Sequence, residues 1–345
     1  MLNFRSLLLL GVVVTAGAVV AAPPASAAPL YHLVKTIPLP GAVKWDYLRV
    51  DDANHRLFVS HGTEVTVLDT RSGKIIGKLD VTTGSHGIAI DPVSGTIYAD
   101  SGDNAQVIAF NPKSFAPIAT AKVVEDADGM QYDPASKKIF VVGGDGNGIT
   151  AINPVDNKAA PTVALGGSPE FFTPDGKGAL YIAINDKNEI ARLDTATSTI
   201  TARWPTTGCT EPTGVAIDEA KRLVFTSCHS GVMDVLNADT GAVVATLPIG
   251  KGTDAAAYDA TRHRAFSSNS EGSLTVIDDS AAPKLLGTVP TKPGARTLAV
   301  DPASGDIYTV TAKVTGVTPA SGPNGRPHYS FAPGSLELLV YAPSA

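Results

Sequence analysis

The sequence predicts an all-β fold, a single seven-bladed β-propeller, and three observations carry that prediction. Aspartates recur at Asp51, Asp91, Asp133, Asp175, Asp218, Asp259 and Asp301, standing 40, 42, 42, 43, 41 and 42 residues apart. A period near 42 made of short apolar runs is the mark of a propeller, one four-stranded blade per repeat. Composition agrees, because 33 Gly and 25 Pro with only 3 Met in 345 residues describe many tight turns. No long stretch keeps helical periodicity. Closed all-β folds of this length form one unit, so residues 28–345 are expected to be one domain.

Residues 1–27 are a different kind of text. They hold one cation, Arg5, then an apolar stretch from Leu7 to Ala22, then Pro23, Pro24 and the small-residue site Ala25-Ser26-Ala27. That order is a secretory signal, too short and wrongly flanked for a membrane span. Without a twin arginine or a cysteine at the cleavage point, neither folded export nor a lipid anchor is expected. The product is then periplasmic or secreted and free of the membrane. Formal charge is −6, and losing Arg5 takes it to −7; a negative body is repelled by phosphate backbones, which excludes nucleic acid as the expected partner.

The blade holding Asp91 shows the plan. His86 to Ile90 is the inner strand, Asp91-Pro92-Val93-Ser94-Gly95 the turn, and Thr96 to Ser101 the second strand. Asp followed by Pro suits a type I turn, where the carboxylate accepts backbone N–H groups and Pro presets φ. Because an aspartate recurs there in every blade, it is read as turn chemistry and not as catalysis. Third strands follow at Glu64–Leu68, Gln106–Phe110, Ile149–Ile152, Glu189–Leu193, Val232–Leu236, Leu274–Ile277 and Leu336–Tyr341, rich in β-branched and large apolar residues. Outer strands are expected at Lys74–Val81, Pro117–Val124, Pro161–Leu165, Thr199–Pro205, Val243–Ile249 and Lys284–Pro290. The seventh is supplied by His32–Leu39, which carries the same pattern and closes the ring by pairing the two ends of the chain. A Pro-rich insertion of residues 312–335 interrupts the last blade. A loop that long in a compact domain serves either as a lid over a channel mouth or as a surface loop without a role.

Stretches such as Ser85-His86-Gly87-Ile88-Ala89-Ile90-Asp91-Pro92, then Gly95-Thr96-Ile97-Tyr98 and a strand like Glu64-Val65-Thr66-Val67-Leu68-Asp69, resemble the YVTN or YncE-like family of secreted seven-bladed propellers. The resemblance covers the mature chain, including its ending Pro333-Gly334-Ser335-Leu336-Glu337-Leu338-Leu339-Val340-Tyr341. It implies a fold related to haem d1 and quinoprotein propellers and a place beside uptake or redox systems of the envelope. It implies no agreed activity and no catalytic residues.

Constant spacing lets the ring be read position by position. The residue five before each turn aspartate opens an inner strand, and the residue ten after it ends the partner strand. If the two pair as a hairpin, these residues face each other at one mouth of the channel. The pairs are Asp46 with His61, His86 with Ser101, Asp128 with Gly143, Glu170 with Asn185, Thr213 with Cys228, Asp254 with Asn269 and Arg296 with Thr311. Charges focused at one small opening concentrate counter-ions, so the expected ligand-binding residues are Asp46, His61, His86, Asp128, Glu170, Asn185, Asp254, Asn269 and Arg296. Among them His86, Asp128, Glu170 and Asp254 offer the oxygen and imidazole ligands of a divalent metal. No close spacing such as His-Glu-x-x-His forces two of these together, and solvated strand ends or an anion site on Arg296 stand as alternatives.

Cys209 and Cys228 are the only two cysteines. In an oxidising compartment two cysteines that close pair simply. The alternative is a soft-metal site of Cys209, Cys228 and His229, copper foremost. Cys228-His229 lacks the second cysteine of a c-type haem motif, so covalent haem is excluded. No Gly-x-Ser-x-Gly elbow or phosphate-binding loop occurs, and Asp145-Gly146-Asn147-Gly148 reads as a hairpin turn. Trp45 beside Asp46 is placed either to stack on a ligand or to be buried between blades. The function expected is a monomeric platform whose channel mouth takes a small ligand or an envelope protein partner. Two other readings stay open: a metal-dependent hydrolase or lyase of a small sugar acid or lactone, and a copper or other metal-binding protein.

Overall fold

The computed structural model describes residues 29–320 and 326–344. The expected signal segment, residues 1–27, lies outside them. Seven antiparallel sheets form the blades, each opening with an inner strand: Trp45–Asp51, Ile88–Ile90, Ala127–Asp133, Pro169–Pro174, Pro212–Asp218, Thr253–Asp259 and Leu298–Val300. They are called blades 1 to 7 in that order. The last closes as expected, with Tyr31–Pro38 adding its strand antiparallel to Glu337–Pro343. Closure leaves no end of the sheet sequence unpaired, which a propeller needs for its ring to hold.

The apolar residues sort into seven clusters among the described residues, and each cluster spans two neighbouring blades. Phe58, Val65 and Val67 of blade 1 pack on Ile88, Ile97 and Ile108 of blade 2. The ring is sealed where Leu57, Val59 and Leu68 of blade 1 meet Tyr308, Val310 and Leu338 of blade 7. Each blade thus buries both faces, so its strands read as apolar runs and not as clean alternation. Outer strands are one-sided; Thr199–Pro205 alternates exposed and half-buried residues along its length.

The turn aspartates make the bonds expected of them. Asp91 accepts the amides of Val93 and Ser94 at 3.1 and 3.2 Å. Asp218 accepts those of Ala220 and Lys221 at 2.9 and 3.0 Å. Asp51 differs, binding the Asn54 amide nitrogen and the Arg56 guanidinium instead.

Three expectations are corrected. The inner strands are not in the simple hairpin register: Trp45 pairs with His61, Ala127 with Gly143, Pro212 with Cys228 and Thr253 with Asn269, each followed at once by an irregularity in register. In these blades the residue five before the turn aspartate therefore falls in a bulge and has no partner opposite it, whereas His86 and Arg296 precede the short regular inner strands of blades 2 and 7. The outer strand of blade 3 is broken into Lys158–Ala159 and Val163–Ala164, with Pro161 between them unable to donate to the ladder. Finally, the insertion carries secondary structure of its own, a hairpin pairing Val314–Thr318 with His328–Phe331.

Cys209 and Cys228 form a disulfide, their Cα atoms 5.3 Å apart. As they stand 19 positions apart in sequence, the link contributes about 3 kcal/mol in the chain-entropy model. Both sulfurs are thereby consumed, and the soft-metal site of Cys209, Cys228 and His229 loses its thiolates. Among the described residues no helix is long and apolar enough to cross a membrane.

Candidate functional site at the channel mouth

The bulge turns its extra residue toward the channel axis. The bulges of blades 1 and 3, with the segment that leads into the inner strand of blade 2, bring three ligand-type side chains together: His86 Nδ1 lies 2.7 Å from Asp46 Oδ2 and 3.9 Å from Asp128 Oδ1. Burial alone would lower the His86 pKa, but the hydrogen bond and charge of Asp46 outweigh it and lift the imidazolium to about 9. Asp100 stands behind, its carboxylate accepting the amides of His86 and Gly87 at 2.7 and 3.0 Å. Burial pushes Asp100 up to about 8 against those bonds and against His86.

Next around the ring, burial and then the charges of Asp46 and Glu170 push Asp128 well above the carboxylate range. Its Oδ1 is enclosed and receives no hydrogen bond. Glu170 is raised to about 7 by burial and then by Asp254. This half of the mouth holds carboxylates with too few cations to match them.

The other half is the reverse. Asp254 forms an ion pair with Arg296, and Arg326 and His229 stand 3.6 and 3.8 Å from its other oxygen. Burial would raise Asp254, yet these cations hold it down to about 2. Arg326 comes from the root of the insertion and also reaches His229 Nε2 at 3.0 Å, while Glu211 takes the opposite ring nitrogen at 3.0 Å. Phe331 of the inserted hairpin packs edge-on against Trp45, centroids 4.8 Å apart. Trp45 is 2 % exposed, so it anchors the hairpin and is not free to stack on a ligand. Between hairpin and ring is a cavity of about 240 Å³ lined by Asp254, Ser270, Arg296, Arg326, Tyr329 and Phe331. Ser270 is buried and its hydroxyl is unpartnered.

Of the nine expected residues, Asp46, His86, Asp128, Glu170, Asp254 and Arg296 belong to this mouth. His61 and Asn269 do not. His61 is fully buried and turns outward to Thr66 Oγ1 at 2.7 Å, and burial lowers its pKa. Asn269 likewise points into its own blade, bonding Ser273 Oγ and Thr275 Oγ1 at 3.1 Å each. Asn185 is half-buried beside the Pro212 carbonyl at 3.5 Å. The bulge is the cause in each case, because it separates the two residues that the simple register would have set face to face.

Three participants escaped the sequence, Arg326, Glu211 and Asp100, and His229 was expected only as a soft-metal ligand beside the cysteines. Only Asp100 had a local signal, one residue before the expected strand end at Ser101. Beneath the carboxylates the channel is plugged by Tyr47 and Phe171, whose rings lie 4.6 Å apart. They sit four residues before Asp51 and Asp175, where blades 2, 3 and 5 carry Gly87, Gly129 and Gly214. Glycine is needed there, since a Cβ on Gly129 would stand 2.9 Å from the Phe171 ring and one on Gly214 2.2 Å from the Ala256 nitrogen.

No family model and no curated protein matches the chain. Solved structures do. A chain of Kuenenia stuttgartiensis hydrazine synthase superposes with a TM-score of 0.68 at 15% identity, over 84% of this chain and 96% of that one. U3-55K gives 0.73 at 10% identity, over 88% and 98%. The WD40 repeats of RRP9 give 0.74 at 9% identity, over 90% and 99%. Identities this low establish a shared propeller architecture and no shared chemistry.

Proposed function

We propose that the chain is an exported binding platform of the YncE-like kind, 28–345 forming one domain, whose hairpin-covered mouth captures a small ligand carrying a cationic and an anionic group. The carrying observation is the division of one opening into a carboxylate half at Asp46, Asp128 and Glu170 and a guanidinium half at Arg296 and Arg326. A ligand cation would supply the charge that Asp128 and Glu170 lack, and a ligand anion would share Arg326 with Asp254. The buried plug below and the hairpin above shed water from both ends of the site, which strengthens each pairing. The disulfide supports export, since such links persist in oxidising compartments.

Titration calorimetry with γ-aminobutyrate, butylamine and butyrate tests this reading. The zwitterion should bind at least about tenfold more tightly than either singly charged analogue, a factor worth about 1.4 kcal/mol. Equal binding of all three would discard it.

A second reading has its own observation. One atom each from Asp46, His86 and Asp128 lie within 4.8 Å of one another, close enough to grip one divalent cation. His86 would have to release its proton, so affinity should rise with pH toward 9. The hydrolase or lyase reading depends on such a metal. Elemental analysis of protein purified without chelator, beside His86→Ala, decides whether the metal exists.

A further inference from the structure

The opposite mouth is built differently. Below the Tyr47 and Phe171 plug the channel widens into a cavity of about 400 Å³, with Phe171 forming part of its lining. One arc of its wall, from the inner strands of blades 5, 6 and 7, is mainly apolar: Val215, Ala216 and Ile217, then Ala256 and Ala257, then Leu298, Ala299 and Val300; the opposite arc is polar and carries Arg49, Gln131 and Thr173. The position two before each turn aspartate decides this shape. It is Ala89, Thr173, Ala216, Ala257 and Ala299 in five blades, but Arg49 in blade 1 and Gln131 in blade 3.

Arg49 is thus the one long cationic side chain that this ring of small residues admits. Its Nη1 donates to Gln131 Oε1 at 2.6 Å. Among the described residues no carboxylate forms an ion pair with it. The acid whose charge acts on it, Asp51, is engaged by Arg56 at 2.5 Å. The contrast with the other channel arginine is sharp, since Arg296 pairs with Asp254. A half-buried guanidinium without an anion carries a desolvation cost, and a neutral pair at these two positions would join the strands without it. Burial accordingly lowers the Arg49 pKa, with Asp51 only opposing the shift.

We infer that this second mouth is a binding site for a small apolar monocarboxylate, its head group on the Arg49 guanidinium and its hydrocarbon body against the Val215–Ile217 and Leu298–Val300 walls. The volume is that of a small-molecule pocket, and an apolar arc facing one placed cation is a usual arrangement for holding a ligand with a charged head and an apolar body. Asp52 and Glu219 at the lining restrict the ligand to a single negative charge. This site is independent of the charged mouth and does not require that mouth to bind anything.

Calorimetric titration of the full mature chain with octanoate, octanol and octylammonium separates head group from tail. Octanoate should bind one site per chain, at least about tenfold more tightly than octanol, as a charge-assisted hydrogen bond gives. Octylammonium should bind more weakly than both. Arg49→Met should erase the preference for octanoate over octanol, Ala299→Phe should block all three by filling the wall, and Arg326→Ala should change nothing. Octanol binding as tightly as octanoate, no binding by any probe, or undiminished octanoate binding by Arg49→Met would each overturn the inference. The head-group comparison uses the parent protein, so it decides the matter even if a variant fails to fold.

Discussion

The two mouths of one channel are made by the same seven strands, yet one crowds its charges together while the other sets a few charges around an apolar arc. At the upper mouth a bulge in five blades, and the segment before a shorter inner strand in the other two, releases the side chain five before each turn aspartate, and six of those seven residues, all but Thr213, are ionisable. At the lower mouth the strands are regular, the position two before the aspartate is mostly alanine, and Arg49 is the one cation of the lining beside Asp52 and Glu219. The difference teaches that a propeller sets chemistry by local backbone irregularity as well as by residue type. A regular strand end would have paired Asp46 with His61 across a ladder, whereas the bulge frees Asp46 to meet His86 of the next blade.

The plug keeps the two mouths separate, and breaking it should have the largest effect. Tyr47 is 8 % exposed and its ring packs tilted against Phe171, centroids 4.6 Å apart. Tyr47→Ala should cost about 4 kcal/mol in urea unfolding, as large aromatic truncations in packed interiors do. A loss under about 1 kcal/mol would mean that the rings are not a packed partition and that the mouths act as one chamber.

Within the upper mouth the two halves should answer pH with opposite signs. On the acidic half every resolved shift is upward, so the folded state holds protons that the unfolded chain releases. His86, raised from 6.5 to about 9, contributes stability that is complete below pH 6.5 and lost as pH rises through 9. The shift corresponds to about 3 kcal/mol before discounting for a ring that is about one-fifth exposed. Glu170, raised to about 7, adds a decline in the same direction between about pH 4.5 and 7. Unfolding free energies measured from pH 6.5 to 9 should therefore fall in the parent, and His86→Asn should lose the part of that fall above about pH 8, beyond the range of Asp100, which burial raises to about 8. A parent profile that is flat over this range would show that Asp46 does not hold the imidazolium.

The basic half responds at the other end of the scale and somewhat less. Asp254, lowered from 3.8 to about 2 by Arg296, His229 and Arg326, contributes about 2 kcal/mol present above pH 4 and lost as pH falls through 2. Asp254→Asn should remove that acid limb and leave the alkaline one intact. If the limb persists in the variant, it arises from the turn aspartates and not from the mouth.

The repeat made the blades, the closing strand and most strand limits legible, because spacing survives whatever the side chains do. Thr199–Pro205 and Gln106–Phe110 match to the residue. Register was not legible, since a bulge shifts which residue faces the axis without altering a single spacing. That is why Asp46, His86 and Asp128 are at the mouth while His61 and Asn269 are buried in their blades. Arg326 was hidden for another reason: it lies 97 positions from His229 in sequence, and only the hairpin that folds back over the ring brings them together. The plug and the lower mouth were present in the same repeat, at four and two residues before each aspartate, where Tyr47, Phe171 and Arg49 stand out among glycines, alanines and threonines.

The smallest predicted change bears most directly on the comparison of the mouths. Arg49 is held by a bond to Gln131 and by no carboxylate, so replacing it should remove a bond worth about 1 kcal/mol and relieve a desolvation cost of similar size. Arg49→Met should therefore shift the unfolding free energy by less than about 1 kcal/mol in either direction when no ligand is added. Arg296→Met at the upper mouth should be clearly destabilising, because it strands Asp254 and its neighbours without their main counter-charge. Equal losses in the two variants would mean that Arg49 is a structural tie like Arg296. Unequal losses, with Arg49→Met near zero, leave the lower arginine as a charge that the fold carries without needing it for stability.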